Sequence, residues 1–362
     1  MLRDALLRSA PQHEAEQANP ARLRYALLMI RGALAALILI ASTFSAAAQE
    51  HVTAGVVRLA SNGPLFLAAA QGYFKADGLE LELRAYPSAQ QVARALADGV
   101  LDFGVAAFSA QVFQFAGKGA ITAVAAQARE RRGYEGNEVV ASNAAYERGL
   151  RGYGDLADKV IAIDRLGSSL HYQLGQIARL KGVALDGVTL KPLQSLDAIS
   201  RAVAEGKVDA AILPAPYARE LLTASQGKLI GWYSELDEQQ LGALFTTPKM
   251  IAARHATVEK FVHAYRRGVA DYAAALLRHD RFGKRVSDAK SKAAAALIAR
   301  YVYPGAAEGA GAVEAGIYFV DPRARIDIGD LARQIAWFKA QGLLDREIDA
   351  RQAADLSFTA GP

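Results

Sequence analysis

From residue 51 onward the chain alternates two kinds of apolar pattern. Short β-rich runs give way to stretches in which apolar residues recur every three or four positions. The first pattern suits a strand, whose side chains point to opposite faces in turn; the second suits a helix with one buried stripe. The spacing predicts strands over 52–60, 79–86, 101–106 and 121–127. Between them it predicts helices over 65–74, from Ser88 to Ala97, and over 110–116. Leu65, Ala68, Ala69 and Tyr73 share a face of the first helix, and Asp77-Gly78 ends it. Ser88 is placed to cap the second, because its hydroxyl can accept an otherwise unpaired N–H. Strand–helix alternation of this kind predicts a mainly parallel sheet flanked by helices.

The same grammar restarts further along. Strands are predicted over 159–164, 188–193 and 208–213, with helices over 168–180 and from Ser195 to Glu205. Residues 138–154 are expected to join the two units. An extended run over 244–252 follows, then helices over 257–277, 291–301 and 328–341, the last stopped by Gly342. The return segment suggests that the chain crosses back to the first unit, and two crossings make a hinge with a cleft beside it. The expected division is lobe I from 50–142 plus 244–362, and lobe II from 143–243.

The first fifty residues read as an export signal. Arg31 precedes the apolar run 32–42, and small residues Ala46 and Ala48 stand before Gln49. The run is short for a bilayer, which needs about 20 apolar residues. Residues 1–48 are therefore expected to be a signal peptide, with Met29 as an alternative start and cleavage near Ala48/Gln49. The 362-residue chain has 42 basic and 37 acidic residues. So mild and dispersed an excess argues against nucleic acid as a partner. Cysteine is absent, so neither disulfides nor a lipid-bearing cysteine is available. A free protein of a Gram-negative periplasm is expected.

Several stretches resemble the ABC-transporter substrate-binding proteins of the nitrate/sulfonate/taurine family. They are 63–82, with Gly63-Pro64-Leu65 and Gly72-Tyr73-Phe74-Lys75-Ala76-Asp77-Gly78, then Gly99-Val100-Leu101-Asp102-Phe103-Gly104, Gly154-Asp155-Leu156, Gly167-Ser168-Ser169 and Gly206-Lys207-Val208-Asp209. The tail from Asp321-Pro322 to Asp355-Leu356-Ser357-Phe358 is similar too. The resemblance implies an α/β, two-lobed periplasmic-binding-protein fold of type II. Each lobe would be a mixed, mainly parallel sheet flanked by helices, with two hinge crossings. It implies capture of a small anionic nutrient (a sulfonate, a nitrate-like ion, or an aromatic or aliphatic carboxylate) and delivery to an ABC permease and ATPase in the inner membrane. A monomer is the implied default, and no cofactor, metal or catalysis is implied.

Ligands of open α/β sheets gather at the carboxyl ends of strands. Gly167, Ser168 and Ser169 open a helix whose first N–H groups lack internal partners and suit an anion; an ordinary N-cap explains the same residues. His171 could donate to an anion or sit on a helix surface. Arg129 and Arg165 offer planar forks for a carboxylate, against the alternative of solvated charge. Ser61, Asn62 and Ser109 would supply hydrogen bonds from the first lobe, or simply make turns and caps. Phe108 is a cleft wall or core, Pro214 and Pro216 stiffen the second lobe's rim, and Tyr217 is placed to reach inward. Trp232 and Trp337 fit packing better than ligand stacking. Two further readings use the same residues. One is an enzyme of a related two-lobed fold, a thiamine-pyrimidine-type synthase or a lyase, although the cysteine-rich motif of those synthases is missing here. The other is a periplasmic sensor partner that presents its ligand to a receptor.

Overall fold

The computed structural model describes residues 49–344 and 348–359. The expected signal segment, Met29 and Ala48 lie outside the described residues. The chain opens with β1 (Glu50–Val56), α1 (Gly63–Ala70), the single turn α2 (Tyr73–Ala76) and β2 (Leu79–Ala85). It continues through α3 (Ala89–Ala97), β3 (Phe103–Ala107), α4 (Ala110–Gly117), β4 (Thr122–Ala126) and the short β5 (Ala128–Glu130). Next come β6 (Asn137–Ala141), α5 (Asn143–Glu147), β7 (Val160–Ile163), α6 (Ser169–Lys181) and β8 (Thr189–Pro192). They are followed by α7 (Leu196–Ala204), β9 (Ala210–Pro214), α8 (Ala215–Thr223) and β10 (Lys228–Trp232). The return passes through β11 (Gln239–Gln240) and β12 (Gly242–Thr246). The remainder is α9 (Pro248–Ala253), α10 (His255–Leu276), α11 (Ala289–Val302), α12 (Gly309–Glu314), β13 (Phe319–Val320) and α13 (Ile328–Ala340).

Two five-stranded sheets result, ordered β2-β1-β3-β12-β4 and β8-β7-β9-β6-β10. They share one topology. In each, the fourth strand in that order runs against both neighbours, β12 in the first sheet and β6 in the second. Each of these is the strand by which the chain arrives from the other lobe. A third, small sheet, β11-β5-β13, draws together the two crossing segments and the C-terminal part.

Two expectations need correction. Residues 138–154 are not a linker, because β6 lies within the second sheet and all of it is buried. The first crossing therefore falls before Asn137 instead of at 142/143. Nor is 244–252 one extended run: β12 ends at Thr246, and α9 begins at Pro248 under a cap from Thr247 Oγ1, which accepts the Met250 N–H at 3.0 Å. A Thr-Pro step favours exactly this kind of helix start, since proline at the first position gives up an N–H that would be unpaired anyway.

Burial of aromatic faces holds the first lobe together. Phe261 of α10 stacks on Phe103 with ring centroids 3.7 Å apart and tilts against Phe74 at 4.7 Å. Helix α13 then spans the lobes, touching both α4 and α6. Its Trp337 meets His171 and Tyr172 edge-on, at 5.1 and 5.5 Å. Gly175 makes room for that indole, since a β-carbon there would lie 2.6 Å from Trp337 Nε1. Gly342 closes α13 at φ +67°, the left-handed geometry that its missing side chain permits.

Caps add smaller increments. Asp288 accepts the N–H groups of Lys290 and Ser291, both at 3.0 Å, while Ser291 Oγ accepts the Asp288 N–H at 2.9 Å. Replacing Asp288 with alanine removes this reciprocal cap and should cost about 1–2 kcal/mol in urea unfolding at pH 7; an unchanged midpoint would show the cap to be idle.

Candidate functional site

The carboxyl ends of the parallel strands in both sheets face one cleft, whose empty space is about 900 Å³ when the open solvent at its mouth is included. The shared topology makes its two walls correspond. Residues after β1 (Ser61, Asn62) stand opposite residues after β7 (Asp164, Ser169). Pro87, Ser88 and Gln90 after β2 answer Gln194 and Ser195 after β8. Phe108 and Ser109 after β3 answer Pro214, the last residue of β9. Gln127, Asn137, Leu241 and Tyr318, from the crossing region, complete the lining.

Local sequence explains why these residues sit where helices begin. Ser109 Oγ accepts the Val112 N–H at 3.2 Å, and Ser195 Oγ accepts the Ala198 N–H at 3.2 Å. Ser168 Oγ accepts the His171 N–H at 3.2 Å, and Ser88 caps α3 in the same way. Each hydroxyl spends a lone pair on its own helix and keeps its O–H to donate. Each helix start also carries roughly half a positive charge, which favours hydrogen-bond acceptors.

The side-chain amides are tied into the wall. Asn62 Nδ2 donates to the Val57 carbonyl at 2.7 Å. Gln127 Nε2 donates to Asn62 Oδ1 at 2.7 Å and to the Ser61 carbonyl at 2.9 Å. Asn137 Nδ2 donates to Gln173 Oε1 at 2.9 Å, while its Oδ1 accepts the Tyr318 hydroxyl at 2.7 Å. Gln173 Nε2 in turn donates to Glu130 Oε1 at 3.2 Å and to Gln239 Oε1 at 2.9 Å. Asn137 and Tyr318 on the cleft wall are thus wired to β5, β11 and α6. Burial raises the Glu130 carboxyl to about 8. Asp164 contributes the carboxyl of the cleft. Burial pushes it above the usual range, opposed by hydrogen bonds from the Ser168 hydroxyl and backbone N–H groups. Its Oδ1 is buried without a partner.

A family model described as NMT1/THI5 like matches residues 60–275, more than half of the chain. The chain belongs to the NMT1/THI5-like family. No curated protein matches it in sequence. In fold, this NMT1/THI5-like protein is similar to the ligand-binding component of an ABC-type import system from Staphylococcus aureus, at a TM-score of 0.66 and 14% identity over 86% of this chain and 98% of that one. It is similar also to the periplasmic aliphatic sulphonate-binding protein SsuA from Escherichia coli, with a TM-score of 0.65 and 17% identity over 84% and 92%. The desulfurization enzyme DszB, as a mutant in complex with biphenyl-2-sulfinic acid, is similar in fold too, at a TM-score of 0.58 and 16% identity over 86% of this chain and 98% of that one. The two-lobed binding-protein fold implied by the resemblance is the fold this NMT1/THI5-like chain has.

The structure brings Ser61, Asn62, Phe108, Ser109, Ser169 and Pro214 to the cleft. Phe108 is fully buried, its ring 5.3 Å from Phe113 and 5.5 Å from Phe245, so it is core and wall together. Gly167 and Ser168 shape the turn behind Ser169. Gly167, at φ +76°, accepts the Ala110 N–H on its carbonyl at 2.9 Å, a backbone bond from lobe to lobe.

Four expected residues sit elsewhere. His171 is buried against Trp337; its Nδ1 accepts the Gly167 N–H at 3.1 Å, and burial lowers its basicity. It braces the turn as a neutral ring. Arg129 pairs with Asp327 at 2.8 Å and Glu238 at 3.3 Å. Arg165 lines a separate shallow depression with Arg94, Asp98 and Gln111. Tyr217 packs into the core under α7 and α8, and burial raises its hydroxyl to about 12. A strand end fixes only where a backbone arrives; Arg129 then follows its nearest carboxylates, and His171 and Tyr217 follow packing.

Sequence reasoning missed Gln90, Gln127, Asn137, Asp164, Gln194 and Tyr318 as lining residues. Gln127 and Asp164 carried a signal, as polar residues directly ending apolar strands. Asn137 and Tyr318 carried none.

Proposed function

We propose that this protein is the solute-capturing component of an ABC importer, working in the periplasm with a membrane permease and its ATPase. The observation that carries the reading is the convergence of strand ends and capped helix starts from both lobes on one cleft. Each lobe contributes only part of the wall, so a solute gains its full set of contacts when the lobes close. A permease then distinguishes the closed form by shape. Among the described residues no helix is long and apolar enough to cross a membrane, and no group of His, Asp and Glu is placed to hold a metal. The likeness to import components supports the reading. The grip expected from Arg129 and Arg165 does not, since neither reaches this cleft.

A solute that binds the folded protein alone stabilises it by mass action, about 2.7 kcal/mol at a hundredfold excess over Kd. A thermal-shift panel of sulfonates, aliphatic and aromatic carboxylates and amides should therefore contain members that raise Tm, with scattering curves showing a more compact particle. A panel without any shift counts against solute capture. The likeness to DszB favours an enzyme as the second reading. Recovery of a bound panel member chemically unchanged after prolonged incubation speaks for capture, and its conversion for catalysis.

A further inference from the structure

We propose that Asp164 sets the charge sense of the ligand: the cleft takes a solute that presents N–H donors and carries no net negative charge, such as an amide or amidine on a compact apolar body. The inference rests on the solute-capture reading above and narrows it.

Three observations converge. Among the described residues lining the cleft, the ionisable side chains are Asp164 and Tyr318; Arg, Lys and His do not contribute. Arg165, the neighbour of Asp164, lines the separate depression with Arg94 and Gln111, although its charge acts on the Asp164 carboxyl. A carboxylate or sulfonate in the cleft would thus meet a carboxyl group and no cationic side chain among the lining residues.

Second, part of the donor set that an anion would need is spent. Both N–H bonds of Gln127 and one each of Asn62 and Asn137 are satisfied within the protein. The serine hydroxyls, the Gln90 and Gln194 amides and the helix starts remain. These suit a neutral carbonyl or a similar acceptor as well as they suit an anion.

Third, Asp164 Oδ1 is buried without a partner, while its turn serves the carboxyl through the Ser168 hydroxyl, backbone N–H groups and the charge of Arg165. Buried polar atoms are seldom left unmatched, and a ligand N–H would complete this one. The apolar lining from Val57, Leu59, Ala107, Phe108 and Leu196 would then cover the rest of the solute.

Four probes of nearly equal shape separate the possibilities: benzamidine, benzamide, benzoate and benzenesulfonate, measured by thermal shift and calorimetry on the wild type and on Asp164→Asn. Benzamidine and benzamide should raise Tm, and the two anions should not. Asp164→Asn, which keeps an acceptor for Ser168, should weaken benzamidine at least tenfold, weaken benzamide less, and admit benzoate. Tighter binding of benzoate or benzenesulfonate than of benzamidine overturns the inference and leaves solute capture standing. Benzamidine binding that Asp164→Asn leaves unchanged removes Asp164 from the role. Should the variant fail to fold, the order of the four probes on the wild type decides. Binding of none of them, with no compaction in scattering, overturns solute capture and the inference together.

Discussion

Replacing Gly268 with alanine is expected to destabilise the protein by about 3 kcal/mol, the upper part of the usual range for overpacking a core. Helix propensity alone argues the reverse, since alanine in a helix interior is favoured over glycine by about 1 kcal/mol. The tertiary contact decides the sign. Gly268 lies in α10 where it crosses α1, and a β-carbon there would run into the carbonyl oxygen of Pro64 and come within 2.7 Å of Ala68 Cβ. Backbone of one helix therefore touches backbone of the other, and no side chain can rotate away to make room. The helices would have to separate, loosening contacts in a cluster that includes Leu65, Ala68, Tyr265 and Tyr272. Urea unfolding of wild type and Gly268→Ala checks this. A variant as stable as the parent would mean that the crossing yields at little cost.

The second large effect is on pH dependence. Glu130 is fully buried, with its carboxyl raised to about 8 from an ordinary value of 4.5. Desolvation is the main cause, only partly offset by hydrogen bonds from Gln173 and the Asn137 N–H. The unfolded chain releases this proton above about pH 4.5, whereas the folded protein holds it until about pH 8. Over that window the folded state binds more protons, so stability is fully present below the unfolded value and is lost as pH rises. Glu138, raised to about 7, acts in the same direction. His171, lowered by burial, acts oppositely, and its effect is complete by about pH 6.5, the ordinary value of the unfolded chain. Of these three groups Glu130 therefore contributes most between pH 7 and 8, with a limiting slope of about 1.4 kcal/mol per pH unit. Glu130→Gln keeps an acceptor for Gln173 and Asn137 without the titration. Its unfolding free energy should match the wild type near pH 5 and exceed it at pH 8. Parallel curves for the two proteins across this range would refute the account.

How much of this was legible beforehand follows the range of the interactions involved. The serine caps at 88, 109, 168 and 195 were readable because a hydroxyl and the N–H it accepts are only three residues apart. The strand–helix alternation was readable for the same reason. Strand β6 escaped because burial on both faces removes the polar–apolar alternation, and Glu138 interrupts what apolar run remains. The three strands of the small sheet escaped because two or three residues carry no period. In the cleft, part of the turns after β1, β3 and β7 was found, Asp164 and the glutamines after β2 and β8 were not, and Gln127, Asn137 and Tyr318 from separate segments were missed altogether. Asn137 and Tyr318 lie 181 positions apart, yet their side chains share a hydrogen bond.

The sequence by itself determined an α/β chain in two similar units with hydroxyl-capped helices at its strand ends, because those features come from backbone preference and contacts between near neighbours. Only the tertiary structure decided which side chains face the cleft, that His171 and the two arginines do not, and that Asp164 does. Those outcomes depend on charges and shapes brought together from distant parts of the chain, where desolvation and close packing overrule what each segment prefers alone.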